Sequence, residues 1–250
     1  MIDLVCLEAA MNNTKKILVT TALTMLLGAC GGGDGGGSSG GSSSTTQNVS
    51  VPLQTAVANV VNNGITVSFS ISGTVGGTAV TGSGSLVDTK AIAGMFNLEA
   101  VLQTTETLSG TVMVNGVSAP FSSTRTIFRN PATFAEVAED LGGPVVIFPA
   151  YVYPSKVQAG DSGTLVTGTS FSNASQTTKT GTVVRSFSVA ADTSSTLLVT
   201  FTESDFDTNN VKLADDQQTL RIDTAGNVQF VSEKVTGLPV NGQQSSLTFQ

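Results

Sequence analysis

The 250-residue chain contains no histidine and no tryptophan, only two cysteines and two tyrosines, and few charges, 12% of its residues. Each shortage removes chemistry. Without histidine there is no Ser-His-Asp triad, imidazole base or His-ligated zinc. A Ser-x-x-Lys nucleophile pair also fails, because Val87, Tyr153, Gln176, Asn209 and Val231 stand three places before the lysines that follow residue 30. There is no Gly-x-x-x-x-Gly-Lys, and Gly-x-Ser-x-Gly occurs only inside the Gly/Ser run of residues 31–47; the later glycines lie between strand-like runs, where they read as turns rather than phosphate cradles. Ala159-Gly160-Asp161-Ser162-Gly163 is likewise a turn opening a strand. Paired Asp/Glu groups pass this filter and can hydrolyse glycosides. Sugar sites, however, usually offer aromatic platforms, and the only tyrosines are Tyr151 and Tyr153 in a proline-rich connector. No enzyme and no cofactor are expected.

Charge is acidic and scattered. The net charge is −7, and leaving out Asp3, Glu8, Lys15 and Lys16 keeps the same balance from Cys30 onward. No run of like charge offers a nucleic-acid face or a polybasic membrane patch.

The N-terminal segment carries the most specific pattern. Lys15-Lys16 precede an apolar run, Ile17 to Leu27, which is shorter than the roughly 20 residues a permanent spanning helix needs. The run ends in Leu27-Gly28-Ala29-Cys30. This segment resembles the lipobox signal peptide of bacterial lipoproteins. The resemblance implies cleavage between Ala29 and Cys30, acylation of Cys30, and anchoring in a Gram-negative cell envelope. With Gly31 rather than Asp after the cysteine, it favours the outer membrane, with the domain facing either the periplasm or the cell surface. Asp3 and Glu8 suit no signal-peptide n-region, so Met11 reads as the natural start and residues 1–10 as a mis-called extension. Residues 11–29 are then signal peptide. With Cys30 spent on the anchor, neither a thiol nucleophile nor a structural disulfide remains. Residues 30–47 form the lipidated cysteine plus a Gly/Ser-rich tether, and such chains behave as coils with an r.m.s. reach of roughly 20–25 Å at this length.

From Val49 onward the pattern has period two. Ile65, Val67, Phe69 and Ile71 alternate with Thr66, Ser68, Ser70 and Ser72, giving one apolar and one hydroxyl face. The pattern recurs at residues 98–107, 111–114, 182–189, 196–202, 219–222, 228–231 and 247–249. Turn signals separate the runs, among them Gly76-Gly77, Asn115-Gly116, Asp207 to Asn210, Ala225-Gly226-Asn227 and Asn241-Gly242. The expected fold is mainly β, an antiparallel sandwich or partly closed barrel over residues 48–250, in two β-rich halves at 48–129 and 155–250. One short helix is expected near 131–141, with Asn130 as cap, Pro131 in the first turn, Phe134, Val137, Ala138 and Leu141 on one stripe, and Gly142 as stop. Val145 to Pro154 reads as an edge strand or crossing connection. Gly77 to Gly82 matches Gly163 to Gly168 at five of six positions; in a chain this rich in Gly and Thr, chance is the favoured source.

One cation-binding constellation is present, with Asp205, Asp207 and Asn209 at alternate places and Asp216 twelfth from Asp205. The sixth position is Asn210 rather than Gly and the twelfth is not Glu, so a polar hairpin turn is the favoured reading. Phe69, Phe96, Phe121, Phe128, Phe187, Phe201 and Phe230 are core candidates.

Three functional classes follow. The first is a non-catalytic binding or structural lipoprotein, held to the membrane by Cys30 and contacting a protein or envelope polymer. The second is a periplasmic carrier of lipid or another apolar ligand in a β-walled cavity. The third is an integral outer-membrane barrel, disfavoured by the tether and by too few aromatics for interfacial girdles. Carboxylate-based hydrolysis trails these.

Overall fold

A computed structural model describes residues 49–240 and 242–250. The lipobox, Cys30 and the tether, and Asn241 of the last turn signal, lie outside the described residues.

The strands are β1 (Ser50–Val51), β2 (Ile65–Val75), β3 (Thr78–Asp88), β4 (Ile92–Phe96), β5 (Glu99–Val114), β6 (Val117–Arg129), β7 (Glu136–Asp140), β8 (Val145–Ile147), β9 (Val157–Gln158), β10 (Ser162–Phe171), β11 (Lys179–Ala191), β12 (Thr196–Asp207), β13 (Lys212–Asp223), β14 (Val228–Val240) and β15 (Gln243–Phe249). The single helix among the described residues, α1, spans Leu53–Asn63. Twelve of the strands run in the order β3-β2-β15-β14-β13-β12-β11-β10-β8-β7-β6-β5, and β5 pairs back onto β3, closing an antiparallel barrel. β4 hangs on β5 outside the ring, and β1 pairs with β9 as a separate ribbon. Closure leaves the barrel wall without open edges. Strands from both expected halves share this one wall; the two matching hexapeptides lie on β3 with its preceding turn and on β10.

The period-two runs became strands because their apolar faces could only be buried together. In β2, Ile65, Val67, Phe69 and Ile71 point into the barrel and are buried, while Thr66, Ser68, Ser70 and Ser72 are exposed. Gly84 on β3 leaves room for the Phe69 ring: a Cβ there would stand 2.9 Å from ring carbons. The runs at 98–107 and 111–114 are parts of one continuous strand, β5.

The helix is not where the sequence placed it. Asn130 does cap, its Oδ1 accepting from the Ala132 and Thr133 N–H groups at 2.8 and 3.1 Å. The turn stops at once: Phe134 takes φ 59, Asn130 N–H reaches Ala135 O, and Glu136–Asp140 leaves as β7. The cap therefore closes a hairpin, and β7 sets Glu136 and Glu139 inside the barrel opposite arginines. Val145–Ile147, the start of the segment expected as an edge strand or a crossing connection, is a wall strand enclosed between β7 and β10.

α1 does carry an i, i+3, i+4, i+7, i+8 pattern: Leu53, Ala56, Val57, Val60 and Val61, all fully buried. It plugs one end of the barrel against Ile65, Val67, Val189, Leu197, Val199 and Ile222. Asn59 Nδ2 donates to Gly226 O at 3.1 Å, and the Ala91 N–H to Val61 O at 2.9 Å, tying the helix to the rim. Gly64 ends it at φ 70; a Cβ there would sit 2.6 Å from Lys90 N and 2.8 Å from Asp88 O. A second apolar cluster, including Phe69, Ile71, Val80, Leu86, Leu247 and Phe249, fills the opposite end on one side, and a third with Val146, Phe148, Val166 and Val183 fills it on the other.

Candidate functional site

Between these apolar layers the barrel holds a belt of buried charge. Strand alternation places it. On β6, Arg125 and Arg129 share the inward face with Ile127; on β11, Arg185 shares it with Val183 and Val189; on β12, Glu203 shares it with Val199 and Phe201. Glu106 comes from β5, and Asp216, Gln218 and Glu233 from β13 and β14.

Register then fixes the partners. Glu106 lies directly across from Arg125, and Arg185 from Glu203. Arg125 donates from Nη2 to Glu106 Oε2 at 3.0 Å, with Nε at ion-pair distance from Oε1, 2.9 Å, and reaches Glu139 Oε1 at 3.3 Å. Arg185 donates from Nη2 to Glu139 Oε1 at 2.6 Å and from Nε to Glu203 Oε2 at 2.7 Å, and pairs through Nη1 with Glu136. Arg129 Nη1 stands 2.7 Å from Glu136 Oε1. The Arg185 guanidinium also lies 4.4 Å from the centre of the Phe148 ring. Glu139 is thus shared between two guanidiniums, as is Glu136.

Carboxyls outnumber arginines in the barrel: Asp88, Glu106, Glu136, Glu139, Glu203, Asp216 and Glu233 against Arg125, Arg129 and Arg185. Burial dominates their titration, because a charge removed from water loses its hydration. It pushes Glu106 up to about 7 despite Arg125 beside it. Glu139 rises to about 8, by burial and by Glu203 and Glu106 nearby, against the pull of Arg125. Glu233 rises to about 8 for the same first reason, and Asp216 is raised well above the carboxylate range by burial and by Glu233. Asp216 and Glu233 hydrogen-bond to each other, an arrangement that needs a proton between them. Burial also lowers the Arg185 guanidinium. At its helix end the belt meets Tyr151 and Tyr153, whose hydroxyls are 3.1 Å apart and are raised by burial.

A cavity of about 20 Å³, bordered by Arg125, Glu136, Tyr153, Arg185, Phe201 and Glu203, has room for a water molecule rather than a substrate. A larger cleft of about 230 Å³ opens at the mouth opposite α1, between Val146, Ser170, Val183, Asp205, Phe206 and Leu213.

The cation constellation is split: Asp207 and Asn209 stay together, and Asp216 is turned away from them. Asp207 Oδ1 accepts from the Asn209 and Val211 N–H groups at 2.8 Å each, holding both in the β12–β13 turn. Asp205 borders the mouth cleft, while Asp216 points into the barrel toward Glu233. Among the described residues no group of His, Cys, Asp or Glu has the arrangement to hold a metal. Phe69 and Phe201 are buried core, and Phe121, Phe187 and Phe230 pack on it; Phe96 and Phe128 instead stack on one another at 4.6 Å outside the three core clusters. The belt was missed although its signal was present: Arg185 and Glu203 fall on the apolar parity of runs read as strands. No family model matches this chain, and no curated protein or solved structure matches it.

Proposed function

We propose that the chain is a non-catalytic lipoprotein of the bacterial outer membrane, held by acylated Cys30, which presents a rigid barrel for binding a protein or an envelope polymer. The observation that carries this reading is the run Leu27-Gly28-Ala29-Cys30 behind Lys15-Lys16, followed by a Gly/Ser tether and a closed barrel. The outer wall supports it: β2 turns Thr66, Ser68, Ser70 and Ser72 to solvent, a hydroxyl face that hydrocarbon would not accept. The belt supports a non-catalytic role: its arginines pair with its glutamates, and the cavity of about 20 Å³ beside them has room for a water molecule.

A β-barrel is a fold compatible with carriage of an apolar ligand, and the mouth cleft of about 230 Å³ favours that as the second reading. It is smaller than the roughly 300–1,000 Å³ of usual ligand pockets. Protease treatment of intact and permeabilised cells, following an epitope at Gln250 with Cys30→Ser as control, tests the reading. Membrane fractionation lost in Cys30→Ser supports the anchor; retention overturns it. Digestion in intact cells assigns the domain to the surface and a partner outside. Protection until permeabilisation assigns it to the periplasm, where binding of a fluorescent fatty acid then decides for or against carriage.

A further inference from the structure

The β4–β5 hairpin leaves the barrel wall at the end where the tether enters. β5 pairs with β3 only as far as Glu106 and with β6 as far as Leu102, so Glu99–Val101 run on past both, paired only with β4. At about 3.3 Å per residue, β5 overshoots β3 by roughly 23 Å and β6 by roughly 10 Å. This is the helix end: the chain leading into β4 passes over α1, with the Ala91 N–H on Val61 O, and Leu102 packs on the cluster around α1.

The tip has unusual chemistry for an exposed turn. Phe96 pairs with Glu99 across a two-residue turn in which Asn97 and Leu98 both have positive φ, 50 and 67. Turns of this kind favour Asn and Gly, and a leucine there bears a Cβ penalty. Leu98 is nevertheless present and 93% exposed, with Ile92 at 64% and Met95 at 62%. No charge occurs from Ala91 to Leu98. The Phe96–Phe128 stack ties the hairpin back to β6. The result is a braced arm whose apex presents Leu98, with Ile92 and Met95 behind it; the exposed Glu99 closes the turn beside Leu98, and Lys90 precedes the arm.

The tether sets what this point meets. Val49, the first described residue, packs on the same helix-end cluster, and residues 31–48 separate it from Cys30. A Gly/Ser chain of that length reaches roughly 20–25 Å, close to the overshoot of the hairpin. We infer that the β4–β5 hairpin is a second membrane contact, its Leu98 tip entering the leaflet that carries the acylated Cys30. Pairing of β4 with a second copy would engage the ladder at Ile92–Phe96 but leave the apex at Leu98 uncovered, so the bilayer is the better fit.

This inference rests on the lipoprotein reading, and its test keeps the two apart. Past Cys30 the chain has no cysteine, and acylation consumes that thiol, so a single introduced cysteine takes an environment-sensitive dye cleanly. The mature protein is purified with its anchor, acylation of Cys30 is verified by mass, and the protein is placed in phosphatidylethanolamine/phosphatidylglycerol vesicles containing a lipid-borne quencher. Dyes at Leu98→Cys and, with Leu98 intact, at Met95→Cys are expected to be quenched several-fold more than one at Thr208→Cys, in the turn at the far end of the barrel. Equal quenching at all three positions overturns the hairpin contact while leaving the anchor standing. Dye shielding at positions 95 and 98 that depends on protein concentration and not on quencher also overturns it, in favour of a second copy. An unacylated Cys30 overturns the anchor and the contact with it.

Discussion

β2 and β6 are strands of the same kind, long antiparallel members of one closed wall, yet they hold the barrel in opposite ways. β2 points Ile65, Val67, Phe69 and Ile71 inward, and its contribution scales with apolar area removed from water. β6 points Arg125, Ile127 and Arg129 inward, where desolvation is costly and is offset by carboxylates, Glu106, Glu136 and Glu139 among them. The difference teaches that equal burial does not mean equal replaceability. An apolar side chain can only be lost, whereas a charge pair can be lost singly or exchanged whole.

The largest effects should expose that asymmetry. Phe69→Ala removes a buried ring in edge contact with Phe249 at 5.2 Å and should cost about 3–5 kcal/mol in urea unfolding. Arg125→Ala should cost about as much, roughly 3–5 kcal/mol, because it strands buried carboxyls. The double change Arg125→Met with Glu106→Leu should recover most of that loss, since neither partner is left alone. A double variant as unstable as Arg125→Ala would mean that Glu139 and the rest of the belt, not the Arg125–Glu106 pair, set the stability.

Next comes pH. Glu106, Glu139 and Glu233 have folded-state values near 7 to 8, against ordinary values of 4.5. The folded protein therefore holds protons that the unfolded chain gives up. This contribution is fully present below about 4.5 and is lost as pH rises through 7 to 8. From pH 5.5 to pH 8.5 the barrel should lose roughly 2–3 kcal/mol for each of these groups that titrates, a fall in Tm of roughly 10 °C or more. Glu233→Gln keeps a neutral hydrogen-bonding group beside Asp216 and should flatten that slope. An unchanged slope in this variant would move the titration to Glu106 and Glu139. No apolar substitution in β2 should alter the slope.

A smaller effect belongs to the helix end. Gly64→Ala places a Cβ against the Lys90 and Asp88 backbone at positive φ, and should cost about 1–3 kcal/mol. The loss should appear first as faster amide exchange in α1, with the charged belt retaining its pH response.

The contrast between the strands also explains what could be read in advance. The runs with one clean apolar face, β2 above all, announced themselves, as did the turns at Gly76-Gly77 and Asn115-Gly116 that join β2 to β3 and β5 to β6. α1 did not, because its spacing is built from valine and alanine inside an otherwise period-two sequence, and Pro52 gives it no side-chain cap. The segment after Asn130 misled because capping is local: the same Asn side chain that starts a helix also closes a hairpin, and the pairing of Glu136 and Glu139 with arginines is long-range. The belt required knowing that Arg185 and Glu203 are neighbours. The parity of each strand showed that they face inward, and only the register of β11 against β12 showed that they meet.

The smallest expected effect is none. Asp207 and Asn209 sit in a solvent-facing turn while Asp216 is turned into the barrel, so calcium has no set of oxygens to gather. Asp207 already spends Oδ1 on two backbone N–H groups, which hold its carboxyl below the ordinary range by hydrogen bonding. Millimolar calcium should leave Tm unchanged at pH 7. A calcium-dependent rise abolished by Asp207→Asn would require the β12–β13 turn to open and give up those bonds. A rise abolished by Asp216→Asn instead would mean that the cation enters the barrel and displaces the proton shared with Glu233. That result would turn the contrast between β2 and β6 around, since the charged interior would then be a site held ready for an ion rather than a closed account of its own charges.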